Sequence, residues 1–144
     1  MDPDTIFQFS GLVAMAGWVT LLASPLIPAI SDRVAGLFVP ALLSVAYVGL
    51  ILAFWSGAEG GFDTLDNVAL LFETRELLLA GWLHYLAFDL FVGAWIVRTA
   101  RKEGIAFWLV LPCLPLTFLF GPAGYLAFVA LRAVLPAHRL RPAN

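Results

Sequence analysis

The chain has 144 residues, 62% of them hydrophobic and 12% charged, with a formal net charge of −2. Soluble domains run to about 45–50% apolar and about 25% charged, so a mean hydropathy of +0.93 excludes an ordinary soluble domain and fits a polytopic membrane protein. There is no basic block to meet nucleic acid, and the single cysteine, Cys113, has no intrachain disulfide partner.

The first apolar segment follows directly on Met1-Asp2-Pro3-Asp4. Its acidic flank and its length read as a retained transmembrane helix rather than a signal or transit peptide. Four spans are predicted: Thr5–Ser31, Val34–Ala58, Leu77–Val97 and Gly104–Leu131. Each reaches the roughly 20 residues needed to cross about 30 Å of hydrocarbon. Ser24-Pro25-Leu26-Ile27-Pro28 predicts a kink or stop in span 1. The tight connections at Asp32-Arg33 and Arg98–Glu103 make spans 1/2 and 3/4 antiparallel neighbours. Between spans 2 and 3, Leu65, Val68, Ala69 and Phe72 recur at helical spacing, which predicts a short amphipathic helix at the interface, with an ordinary polar loop as the alternative. Span 4 contains Pro112, Pro115 and Gly121-Pro122-Ala123-Gly124 and is longer than a bilayer is thick, so it is expected to be kinked or broken. Broken backbone at that depth survives only where protein buries it or where it lines a cavity, which makes Gly121 and Pro122 candidate pocket wall.

Orientation is tied. Arg33, Arg98, Arg101 and Lys102 stand against Arg75, Arg132, Arg139 and Arg141, and the positive-inside rule finds no majority. The compact Arg98–Lys102 cluster favours both termini outside.

Span 3 carries His84 and Asp89 near its middle. An ionised group there costs roughly 2.5–3.5 kcal/mol by insertion scales, so such residues need partners and often mark a substrate, ion or proton site. Five positions apart, the two lie about 140° around a helix and face two neighbouring helices or two sides of one cleft. Trp82, Tyr85, Asp89 and Gly93 form one stripe; Ala80, His84, Ala87 and Phe91 form another. Two readings stay open. His84 and Asp89 form an acid/base pair acting near neutral pH, or they are a neutral imidazole and a carboxyl satisfied across helices, by Thr117, Tyr47 or an amide of the broken helix. Glu73 and Arg75, at the start of span 3, are candidate supporting residues. On a continuous helix Glu73 stands about 16 Å from His84, too far for contact. With two histidines in the chain, one of them His138 in the tail, and no Cys cluster or dinucleotide motif, neither a metal nor another cofactor is expected.

The run Ala80-Gly81-Trp82-Leu83-His84-Tyr85-Leu86-Ala87-Phe88-Asp89-Leu90-Phe91-Val92-Gly93 resembles the central motif of the abscisic-acid-deficient-four-like family. So do Pro112–Gly124 and the stretch around Leu65-Asp66, in the same order and spacing. The resemblance implies a small four-helix membrane protein; plant members are linked to neoxanthin formation from violaxanthin. That reaction opens an epoxide to an allenic alcohol without net redox change, and it needs a proton donor at the epoxide oxygen and a base. Without a plastid transit peptide, the expectation is a bacterial member in the cytoplasmic membrane.

The expected fold is therefore all-α: one four-helix transmembrane domain over residues 1–144 with an interfacial helix between spans 2 and 3. The expected function is carotenoid, xanthophyll or related isoprenoid-lipid metabolism by acid/base isomerase-type chemistry, or else non-enzymatic binding of such a lipid or partnership in a biosynthetic complex. His84 and Asp89 are the candidate catalytic residues, and Trp82, Tyr85, Thr117, Gly121 and Pro122 the candidate substrate-binding ones. The expected partners are the bilayer, an apolar polyene or isoprenoid ligand, and further copies of the chain if it oligomerises, but not nucleic acid.

Overall fold

A computed structural model describes residues 2–135; His138, Arg139 and Arg141 lie outside that range. Every regular element among the described residues is helical. The caps explain where the helices begin and end. Helix α1 (Pro3–Leu22) starts on Asp2, whose carboxylate accepts from the Thr5 amide at 3.2 Å, with Pro3 in the first turn. It ends well before Ser31, because the Ala23–Leu26 turn brings in Pro25 and Pro28 opens α2 (Pro28–Arg33). A π-helical turn (Val34–Phe38), closed by Val39 N–H donating to the Val34 carbonyl, joins α2 to α3 (Val39–Phe54). The wide turn comes just ahead of Pro40, which has no N–H to continue the regular ladder. The second span therefore begins six residues before the apolar run that signalled it and covers Pro28–Gly57.

The expected interfacial helix is present as α4 (Leu65–Leu71), capped by the Thr64 hydroxyl on the Asn67 amide at 3.1 Å. Gly60 takes a φ of +98° with its backbone against Asn67 and Leu71, where no side chain fits. Helix α5 (Arg75–Lys102) is longer than Leu77–Val97 at both ends. Gly104 stops it at φ +69°, with the Ile105 amide reaching back to the Ala100 carbonyl at 2.8 Å and the Ile105 side chain buried. A four-residue helix α6 (Phe107–Val110) leads into α7 (Cys113–Val134).

Four helices are long and apolar enough to cross a membrane: α1, the Pro28–Gly57 run, α5 and α7. The α5 helix is the centre of the molecule. Half of its apolar window is buried, against 17–28% for the other three, and lipid-facing exposure of Leu, Phe and Val is the expected state of the rest. Small residues bring the outer helices onto it. Gly17 of α1 takes Leu90, Gly93 of α5 takes the Trp18 ring, and Gly36 takes the Arg98 guanidinium. A hydrogen-bonded ion pair of 2.6 Å from Arg101 to Asp32 ties the end of α5 to the connection between the first two spans.

Helix α7 is broken, as its Pro and Gly content predicts. Phe120 has φ −146° and ψ 65°, outside the helical region, and Pro122 follows. Pro122 has no N–H for the Phe118 carbonyl, and the turn at Phe120 frees the Leu119 carbonyl as well.

Candidate functional site

Two side chains of α5 meet this break. The Tyr85 hydroxyl points at both freed carbonyls, at 3.0 Å from Phe118 and 2.7 Å from Leu119. One turn on, the Asp89 carboxyl lies against Gly121, so close that a Cβ there would overlap Oδ1. Asp89 is only 7% exposed, and its Oδ2 is buried with no hydrogen-bond partner among the described residues. Tyr85 thus closes the carbonyl end of the first half-helix, and Asp89 sits at the amide end of the second, where the dipole favours a negative group. Of the partners open to Asp89 from sequence, the broken helix is the one it contacts. Thr117 is fully buried, but its hydroxyl donates to Cys113 in its own helix at 2.7 Å. Pro122, beside Gly121, is exposed.

Trp82 stacks on Tyr85 at 5.3 Å and meets Phe7 of α1 at 5.2 Å. These rings form one wall of a cleft of about 630 Å³, with Phe72, Leu78 and Leu79 around it and Tyr85 at its inner end. At the mouth Arg75 pairs with Asp4 of α1, not with the neighbouring Glu73 or Glu76. Both partners are well exposed, so the pair adds little stability. Glu73 itself is exposed in the turn before α5 and lines neither cleft.

His84 is elsewhere. It faces α3, edge-on to Tyr47 at 5.7 Å and stacked on Phe88 at 4.6 Å. It lines a second cleft of about 360 Å³ with Tyr47, Ile51, Trp55 and Phe62. Both volumes are in the range of small-molecule sites. Phe72 and Gly81 line both clefts, and the Phe72 ring rests on Gly81 where a Cβ would meet it at 2.9 Å. Helix α5 therefore stands between His84 on one side and Tyr85 with Asp89 on the other, and the two ionisable residues do not come together. Among the described residues no group of three or more potential metal ligands is found.

Phe7, Phe72 and Asp4 belong to the site but carry no local signal of it. Only the topology, which sets the starts of α1 and α5 side by side, could have paired Asp4 with Arg75.

Residues 5–128 match the ABA DEFICIENT 4-like family. The chain belongs to this family. The match takes in both clefts' shared Phe72–Gly81 partition, the Tyr85–Asp89 stripe and the break in α7. As a member of the ABA DEFICIENT 4-like family, the chain is an integral membrane protein whose regular elements, among the described residues, are helices. No curated protein and no solved structure matches it.

Proposed function

We propose that this member of the ABA DEFICIENT 4-like family acts on a carotenoid, xanthophyll or related isoprenoid lipid within the bilayer, by proton-transfer isomerisation. The observation that carries the reading is an aromatic-walled cleft ending at Tyr85, with the buried Asp89 carboxyl, its Oδ2 unpartnered among the described residues, one helical turn beyond. An apolar ligand enters such a cleft without leaving hydrocarbon. Epoxide-opening isomerisation gives one proton to the epoxide oxygen as its C–O bond breaks and takes one from a neighbouring carbon as a new C=C bond forms, with no net redox change. Asp89 is the proton-holding group and Tyr85 the side chain between it and the cleft, with Trp82 as the flat surface for a polyene. Gly121 and Pro122 set the break against which both polar groups are held, and Thr117 packs behind it. His84 takes part when the ligand extends past Phe72 and Gly81 into the second cleft, as a rod-shaped polyene can. Arg75 and Asp4 set a polar rim for a terminal hydroxyl.

Replacement of Asp89 by Asn in a carotenoid-producing host is the test, with pigments profiled by chromatography. Loss of conversion by a folded variant is expected, and unchanged conversion removes Asp89 from the chemistry.

A second reading has its own support. Tyr85 is already engaged by two carbonyls and the Asp89 carboxyl packs directly on Gly121, which is a structural role in holding the break. The protein would then bind a pigment or lipid without converting it. Purified protein that carries a polyene and releases it unchanged under all conditions would favour this reading.

A further inference from the structure

Helix α7 runs in an unexpected direction after its break. Along α5, Asp89 meets Gly121, Trp95 lies 5.6 Å from Tyr125 and 5.5 Å from Phe128, and Glu103 binds Arg132, Nε to Oε2 at 2.8 Å. The partner numbers rise together, so this half of α7 is parallel to α5. A crossing helix entered through the tight Gly104 turn would be antiparallel, and residue 132 would stand about 40 Å away, near Arg75.

The break itself agrees. Gly124 lies against the backbone of Thr117 so closely that a Cβ would overlap it. On a straight helix, residues seven apart are about 10.5 Å apart. Residues 107–119 reach from the end of α5 down to Tyr85, and residues 121–134 give an arm of about 21 Å. That length matches the stretch of α5 from Asp89 to Glu103, and it falls short of a bilayer's roughly 30 Å.

We propose that residues 107–134 form a re-entrant helical hairpin that enters and leaves at the Lys102 face and turns at Phe120–Gly121 in mid-membrane. Tyr85 and Asp89 satisfy the irregular backbone at the tip, the condition under which such backbone is tolerated at depth. Charge supplies an independent argument. With the hairpin, Arg33, Arg98, Arg101, Lys102 and Arg132 share one face, and Arg75 alone among the described basic residues is on the other. Of the acids, Asp2, Asp4, Glu59, Asp63, Asp66, Glu73 and Glu76 lie on the Arg75 face, and Asp32 and Glu103 on the hairpin face. This asymmetry turns the hairpin face to the cytoplasm. The aromatic-walled cleft then fills the room beneath the tip that a crossing helix would occupy, and it opens to the leaflet opposite the cytoplasm. This last point rests on the function proposed above; the topology does not.

Single cysteines at Glu59→Cys, Lys102→Cys and Val134→Cys, each in a Cys113→Ala background, test it. Spheroplasts are treated with a membrane-impermeant maleimide before and after permeabilisation. Position 59 is expected to label in intact spheroplasts, and positions 102 and 134 only after permeabilisation. Sorting of position 134 with 59 overturns the hairpin; the expected grouping with the faces exchanged overturns the orientation alone. As a second measurement, Glu103→Cys with Arg132→Cys should join through a short bis-maleimide, detected as a cross-linked peptide by mass spectrometry. Failure of that link in labelled, folded protein also overturns the hairpin. Neither readout depends on pigment conversion, so loss of the functional reading leaves both outcomes interpretable.

Discussion

Asp89 and Gly121 compete for the same few ångströms, which makes their pairing measurable. Gly121→Ala puts a methyl group into the Asp89 carboxyl and is expected to cost about 1–3 kcal/mol, as overpacking of a fitted site does. Asp89→Ala opens that space, and the double variant should recover part of the Gly121→Ala loss. Thermal unfolding in detergent checks this through the non-additivity of a double-mutant cycle; strictly additive losses would separate the two residues. The i, i+4 spacing of Tyr85 and Asp89 placed them on one face from sequence alone, and the Pro-Gly content of α7 marked the break. The direction of His84 was not legible in the same way. Spacing gives the angle between His84 and Asp89 but not which neighbour fills each side, and here α3 fills one and the broken α7 the other.

Among the elements, the connection carrying α4 depends on a local carboxylate. Asp63 accepts two hydrogen bonds from the Asn67 amide, at 2.9 and 3.0 Å, and this holds its pKa below the ordinary 3.8. A carboxyl with a lowered folded-state pKa stabilises its structure above the unfolded pKa, and that contribution is lost as pH falls through the lowered value. The protection factors of residues 64–71, exchange relative to the intrinsic rate at each pH, should therefore fall below about pH 4, and Asp63→Asn should abolish the change. Protection that stays constant across that range would refute the link. Hydropathy found all four apolar helices but misplaced their ends. Apolar runs do not register Pro25, which ends α1 early, or Gly104, which stops α5. Caps and stops act on backbone groups, which a hydropathy sum does not see.

At the scale of the whole molecule, Glu103 and Arg132 fasten two segments 29 positions apart. Arg132→Glu sets two carboxylates together and should lower stability by about 1 kcal/mol for a partly exposed pair, read as a fall in melting temperature. Glu103→Arg combined with Arg132→Glu should restore most of it. If the swap fails to recover stability, the pair is incidental to the packing of α7 on α5.

Sequence by itself determined the membrane class, the four apolar helices, the interfacial α4 and the break in α7. Each of these follows from local composition: length, hydropathy, helical period, and residues that lack an N–H or a Cβ. The tertiary structure decided which groups meet. It separated His84 from Asp89, joined Asp4 to Arg75, and set Tyr85 and Asp89 across the break. Those contacts depend on how helices pack and where a chain turns back, and a one-dimensional pattern holds no distance between residues far apart in the chain.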